Sequence, residues 1–246
     1  MSAVLLQIDS NGLATLTLNR PQKLNALNGE VFQQLDEHLT AMAAQTDSIG
    51  AVLIRGAGKC FSAGLDMTEA ASDRPPVSSL FMAQVVGRLS NLPQPVLAAV
   101  HGHCYTGALE LAMAADIVLA AETARFGDTH SKWGLTPAWG MSQRLPRRVG
   151  YGQACRMMFT AESIGGQEAH RIGLVDLLFP EASFDTDVGD LARKVVDNSW
   201  FSHRGNKQLL RQTDGLPLSA GLAYEFFNRA GRAPDFEERI ARFSKR

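Results

Sequence analysis

A chain of 246 residues, 45% hydrophobic and 20% charged, has the composition of an ordinary soluble globular protein, with room for one larger domain or two small ones. Its formal net charge of −1 gives no electrostatic reason to expect a nucleic-acid or membrane partner. Cys60, Cys104 and Cys155 are an odd number at wide spacing without a CxxC, which points to reduced thiols in a reducing compartment rather than to a disulfide framework.

The first residues, MSAVLLQIDSNG, have neither a basic segment nor an apolar run suited to a signal peptide. No long apolar span is free of charge, so a cytoplasmic protein without a membrane helix is expected. Residues 3–8 and 13–18 are short β-type runs around Asp9-Ser10-Asn11-Gly12, which reads as a hairpin. Asn28 is a candidate cap for a helix whose Val31, Phe32, Leu35, Leu39 and Met42 recur at helical spacing. AVLIR, 51–55, reads as a buried strand, followed by the loop GAGKCFSAGLD, a polar stretch at 72–78 and a helix over 79–90.

PVLAAV, from Pro95, is the next strand, and DIVLAA, 116–121, a further one. Between them, VHGHCYTGALELAMAADIV, 100–118, reads as an apolar helix opened by Gly107 with one carboxylate, Glu110, in its first turn. Strands alternating with helices imply βαβ units with right-handed crossovers. Beyond residue 139 the β pattern fades, and helical spacing covers roughly 140–172, 183–199, 201–213 and 217–231. The basic tail from Arg239 to Arg246 reads as a solvated helix end.

Two segments carry chemistry. Each follows a parallel-type strand and opens a helix: Lys59-Cys60-Phe61-Ser62-Ala63-Gly64-Leu65-Asp66, and the turn into Gly107. Backbone N–H groups converging from two such places form an oxyanion hole. Glu110, three residues past Gly107, is either a proton carrier beside that hole or an acid that only complements the helix dipole. His101 and His103 would share one face of a strand, but two ligands make a poor zinc site, so no metal is expected and a structural role is. No GxSxG nucleophile elbow and no GxGxxG is present. Trp133, Trp139 and Phe126 would either wall a pocket or belong to the core.

LNRPQKLNAL (18–27), GKCFSAGLDM (58–67), AAVHGHCYTGALELAMAADI (98–117), RFGDTHSKWGLTPAWGMSQRL (125–145) and EAHRIGLVDLLFP (168–180) follow one another as in the crotonase superfamily of enoyl-CoA hydratases and isomerases. The resemblance spans essentially the whole chain. It implies an α/β crotonase (ClpP-like) fold of repeated ββα units with a helical C-terminal region. Residues 1–190 would form the core with the acyl-CoA site, and 191–246 a helical region for oligomerisation and capping of the active site. The implied partners are an acyl-CoA thioester and further copies of the chain, as a trimer or a dimer of trimers. No separate cofactor is implied, coenzyme A being part of the substrate.

By the same resemblance, the N–H groups of Leu65 and Gly107 would form the oxyanion hole. Lys23, Asn25, Ala26, Ala63, Gly64 and Asp66 would line the CoA site, with Trp133 and Pro137 along the substrate pocket. Glu110 stands at the position of one of two catalytic glutamates of the hydratases; where the second is expected in a Pro-Glu pair, this chain has Thr129-His130. An imidazole both donates and accepts a proton near neutral pH, so His130 is a second candidate proton carrier, or else a polar pocket residue. Asp128 would assist it or merely form a turn. The chemistry implied is hydration of a 2-enoyl-CoA to a 3-hydroxyacyl-CoA. A double-bond isomerase, a thioester hydrolase and a non-catalytic acyl-CoA-binding protein are the alternatives.

Overall fold

The first strands pair around a glycine turn. β1 (Val4–Ile8) and β2 (Leu13–Leu18) are antiparallel, and the Gly12 N–H closes the turn onto the Asp9 carbonyl with a left-handed φ of +89°. These are among residues 2–72 and 77–243, which the structure, a computed structural model, describes. Residues 73–76 of the polar stretch, and 244–246 of the basic tail, lie outside them.

α1 (Gly29–Ala43) starts at Asn28, whose side chain accepts the Val31 N–H, and it buries the five apolar positions expected of it, from Val31 to Met42. Three largely apolar runs form β3 (Ala51–Gly56), β4 (Val96–Val100) and β6 (Ile117–Ala121). With β9 (Leu177–Phe179) they make a six-stranded sheet, ordered β1-β2-β3-β4-β6-β9 and parallel except at the β1–β2 edge.

Continuous apolar strands follow from cover on both faces. One face packs on α1 and α3 (Ser79–Asn91), and the other on Phe184, Val188, Ala192 and Val196 of α8 (Phe184–Val196). α8 therefore crosses the boundary expected at 190, and its last turn still belongs to the core.

A second, three-stranded sheet comprises β5 (His103–Tyr105), β7 (Arg125–Gly127) and β8 (Ile164–Gly165). Its strands are two or three residues long, too short for a period to register in the sequence. β4 and β5 lead into α4 (Gly107–Ala112), and β6 and β7 precede α5 (Met141–Val149), which is the expected ββα repeat.

Three readings of the sequence are corrected. The segment 100–118 is not one helix: β5 precedes α4, which has only six residues. The helical stretch at 140–172 is broken at Gly150 and again at Ala161, both with positive φ, giving α5, α6 (Tyr151–Thr160), β8 and α7 (Gly166–Arg171). β8 and β9 also show that strands continue past residue 139. The C-terminal α9 (Trp200–Gln212), α10 (Leu218–Asn228) and α11 (Phe236–Phe243) follow, with α11 reaching into the basic tail.

Candidate active site

The loop after β3 is extended, not coiled. Phe61 and Ser62 donate their N–H groups to the carbonyls of His101 and His103, and Ser62 pairs in parallel with Cys104. Ala63 donates to Leu24, Asp66 to Leu27, and Gly64 accepts from Leu27. Among the described residues, the N–H of Leu65 has no such partner. Gly64 adopts a φ of +101°, and a Cβ there would stand 2.7 Å from the Tyr105 carbonyl oxygen. Only glycine permits that approach, which brings Leu65 alongside the entry to α4.

Thr106 enters α4 with a left-handed φ of 53°. It leaves Gly107 as the first helical residue, where an N–H lacks an intrahelical acceptor. A Cβ on Gly107 would meet the Trp139 ring at 2.4 Å. Glu110 is 1% exposed. Its Oε1 accepts the N–H groups of Trp139 (2.8 Å) and Met141 (2.9 Å), so the carboxylate anchors the segment that opens α5. Its Oε2 stands 3.8 Å from Nε2 of His130. Burial pushes the Glu110 carboxyl up, against the opposing pull of the Met141 N–H, the His130 ring and the Trp139 N–H.

His130 opens a short 3-10 turn, His130–Trp133, and is 8% exposed. Asp128, 1% exposed, accepts the His130 backbone N–H on Oδ1 at 3.1 Å, and the same oxygen lies 2.5 Å from the ring Nδ1. The hydroxyls of Thr106 and Thr129 are 2.5 Å apart, and the Thr129 N–H donates to the Thr106 hydroxyl. The turn carrying His130 is thereby registered against the entry of α4.

These elements enclose a cavity of about 450 Å³. Of the residues expected at the site, Ala63, Leu65, Gly107, Glu110, His130 and Trp133 line it. Trp139 lines it too, whereas Phe126 is fully buried in the core and forms no part of the wall. Thr106 and Thr129 also line it; Thr106 carried no sequence signal, since its position depends on a pairing 23 residues away.

Other expected residues serve the framework. Asn25 is buried, donating from Nδ2 to the Ala57 and Cys60 carbonyls and accepting the Arg20 N–H, so its side chain is spent within the fold and does not face a ligand. Asp66 pairs with Arg20 at 3.0 Å and caps α2 (Met67–Ala70) through the Thr68 N–H. Ala26 offers its carbonyl to Arg20, and Lys23 ends an exposed 3-10 turn. Gly64 and the half-buried Pro137 are each next in sequence to lining residues without lining the cavity themselves. His101 and His103 do not converge: the former contacts the Gly58 carbonyl at 2.9 Å, and the latter stacks on Tyr105.

A family model described as enoyl-CoA hydratase/isomerase matches residues 9–243. A 2,3-dehydroadipyl-CoA hydratase of Escherichia coli is 38% identical, over 93% of this chain and 90% of the relative. A short-chain-enoyl-CoA hydratase of Clostridium acetobutylicum is 35% identical, over 87% of this chain and 83% of its own length. The crystal structure of an enoyl-CoA hydratase from Bacillus anthracis superposes with a TM-score of 0.93 at 27% identity, covering 99% of this chain and 96% of that one.

Proposed function

The chain belongs to the enoyl-CoA hydratase/isomerase family of the crotonase superfamily, and we propose that it adds water to a 2-enoyl-CoA to give a 3-hydroxyacyl-CoA. One observation carries this reading. One cavity is lined by Leu65 and Gly107, whose N–H groups have no partner among the described residues, and by two buried proton carriers, Glu110 and His130.

The thioester carbonyl would accept both N–H groups, which stabilise the negative charge that develops on its oxygen as Cβ is attacked. At 3.8 Å, Oε2 of Glu110 and Nε2 of His130 are too far apart for a direct hydrogen bond, yet close enough for both to reach one water placed beside them. Nε2 of the neutral His130 ring takes a proton from that water as the water oxygen bonds to Cβ. The Cα–Cβ π pair moves into the enolate. Protonated Glu110 Oε2 then gives its proton to Cα, and the proton on His130 Nε2 passes to Oε2 to close the cycle. Water and one double bond are consumed, with no net oxidation, so the scheme calls for no cofactor beyond the CoA of the substrate.

Purified protein mixed with crotonyl-CoA is expected to remove the enoyl absorbance with formation of 3-hydroxybutyryl-CoA. Release of free CoA thiol would identify a hydrolase instead. Growth of enoyl absorbance from a 3-enoyl-CoA, without water addition, would identify an isomerase. Calorimetric binding with no turnover of either would leave an acyl-CoA-binding protein.

The C-terminal helices support a further part of the reading, that copies of the chain associate as a trimer or a dimer of trimers. α10 buries no residue within the chain, and Leu218, Leu222, Phe226 and Phe227 all stand exposed on it. Such an apolar surface is costly to leave in water and suits contact with another copy.

A further inference from the structure

We propose that Asp128 is a positioning residue, which holds the His130 imidazole with its proton on Nδ1 and turns Nε2 toward Glu110 and the cavity.

An ionised carboxylate only accepts hydrogen bonds, so a carboxylate oxygen 2.5 Å from Nδ1 places the ring proton there. The same oxygen accepts the His130 backbone N–H, tying ring and main chain to one point. The other ring nitrogen stands 3.8 Å from Glu110 Oε2. Asp128, His130 and Glu110 thus form a line of three buried groups that ends in the cavity.

A turn-forming role for Asp128 would require only the backbone bond. The ring contact is additional, and it selects the tautomer opposite to the one a free imidazole prefers in water. Every proton that His130 exchanges must therefore pass through Nε2. In the hydration scheme, on which this part of the inference rests, a water O–H bond breaks as the Nε2–H bond forms, and the oxygen keeps that electron pair as it bonds to Cβ. Asp128 itself neither touches substrate nor takes up a proton. Its effect is to keep the nitrogen that works pointed at the water it activates, as an orienting carboxylate does in other His-based sites.

The test is the tautomer itself. Protein labelled with 15N-histidine would be studied by long-range 1H–15N correlation, with the His130 signals assigned by their loss in His130→Ala. In the wild type the neutral ring is expected to show an N–H-type Nδ1 and a lone-pair-type Nε2. In Asp128→Ala, and in the isosteric Asp128→Asn should the alanine variant not fold, the pattern is expected to move toward Nε2–H. With crotonyl-CoA the same variants should lose roughly 10²-fold or more in kcat, while KM stays within about threefold. A wild-type ring protonated on Nε2 would overturn the proposal, as would an unchanged tautomer in the variants. So would a changed tautomer with unchanged kcat. If the wild type hydrates no enoyl-CoA, the hydration reading fails, while the spectra still decide for or against Asp128.

Discussion

Oε1 of Glu110 is held by two backbone N–H groups, which leaves Oε2 as the oxygen free to exchange a proton. Glu110→Gln keeps an oxygen for those donors but loses the exchangeable acid, so the fold should persist while turnover falls by about 10²-fold or more. Stability offers an independent check. Burial raises the carboxyl in the folded state, so the wild type is most stable with Glu110 protonated and loses that contribution as pH rises through the raised value. The glutamine variant lacks this dependence. Its melting temperature relative to wild type should therefore increase between mildly acidic and mildly alkaline pH; a constant difference would show that Glu110 is not strained by burial. Gly107 obeys a steric rule. A valine there would collide with the Trp139 ring, so Gly107→Val should cost at least 10²-fold in kcat, in a protein whose circular dichroism stays native-like. Retained activity would remove Gly107 from the oxyanion hole.

At the scale of elements, capping and short strands decide how the site is mounted. α1 depends on the Asn28 side chain at its first turn, and Asn28→Ala should lower unfolding free energy by about 1 kcal/mol, read from denaturant midpoints. Both that cap and the buried face of α1 were legible, because each is local: a cap acts three residues ahead and a helix repeats every three or four. The small sheet was not legible. β5, β7 and β8 are fragments held by pairings between residues more than twenty positions apart, and no local pattern announces them. The same is true of the Thr106–Thr129 hydroxyl pair. Thr129→Val should loosen the His130 turn from α4, lowering kcat more than melting temperature; an unchanged kcat would show that the clasp does not position the site.

Across the whole molecule, a buried lysine helps fasten the C-terminal helices to the sheet. Lys207 on α9 donates to the Asp116 carboxylate (2.6 Å) and to the Gln94 carbonyl (2.9 Å), reaching across to the ends of β4 and β6. Burial depresses the Lys207 ammonium, so its ion pair with Asp116 is the compensation for desolvation. Lys207→Ala leaves both acceptors without this donor and should cost about 1–3 kcal/mol, measured by denaturant unfolding. The face beyond this tether is apolar and open. Replacing Leu222 and Phe226 with Asp should shift light-scattering mass toward a single chain, whereas an unchanged oligomer would place the contact elsewhere.

By itself the sequence determined the alternation of buried strands and helices, the cap of α1, and the two glycine-bearing turns that carry Leu65 and Gly107. These features are encoded within a few neighbouring residues, and the ordered motifs identified the family. Only the tertiary structure decided which residues share the cavity. It turned Asn25 and Asp66 inward to hold loops, gave the two oxygens of Glu110 different tasks, and set His130 between Asp128 and Glu110. The reason is physical: burial and hydrogen-bond partnership are properties of groups far apart in the chain, and local periodicity carries no record of them.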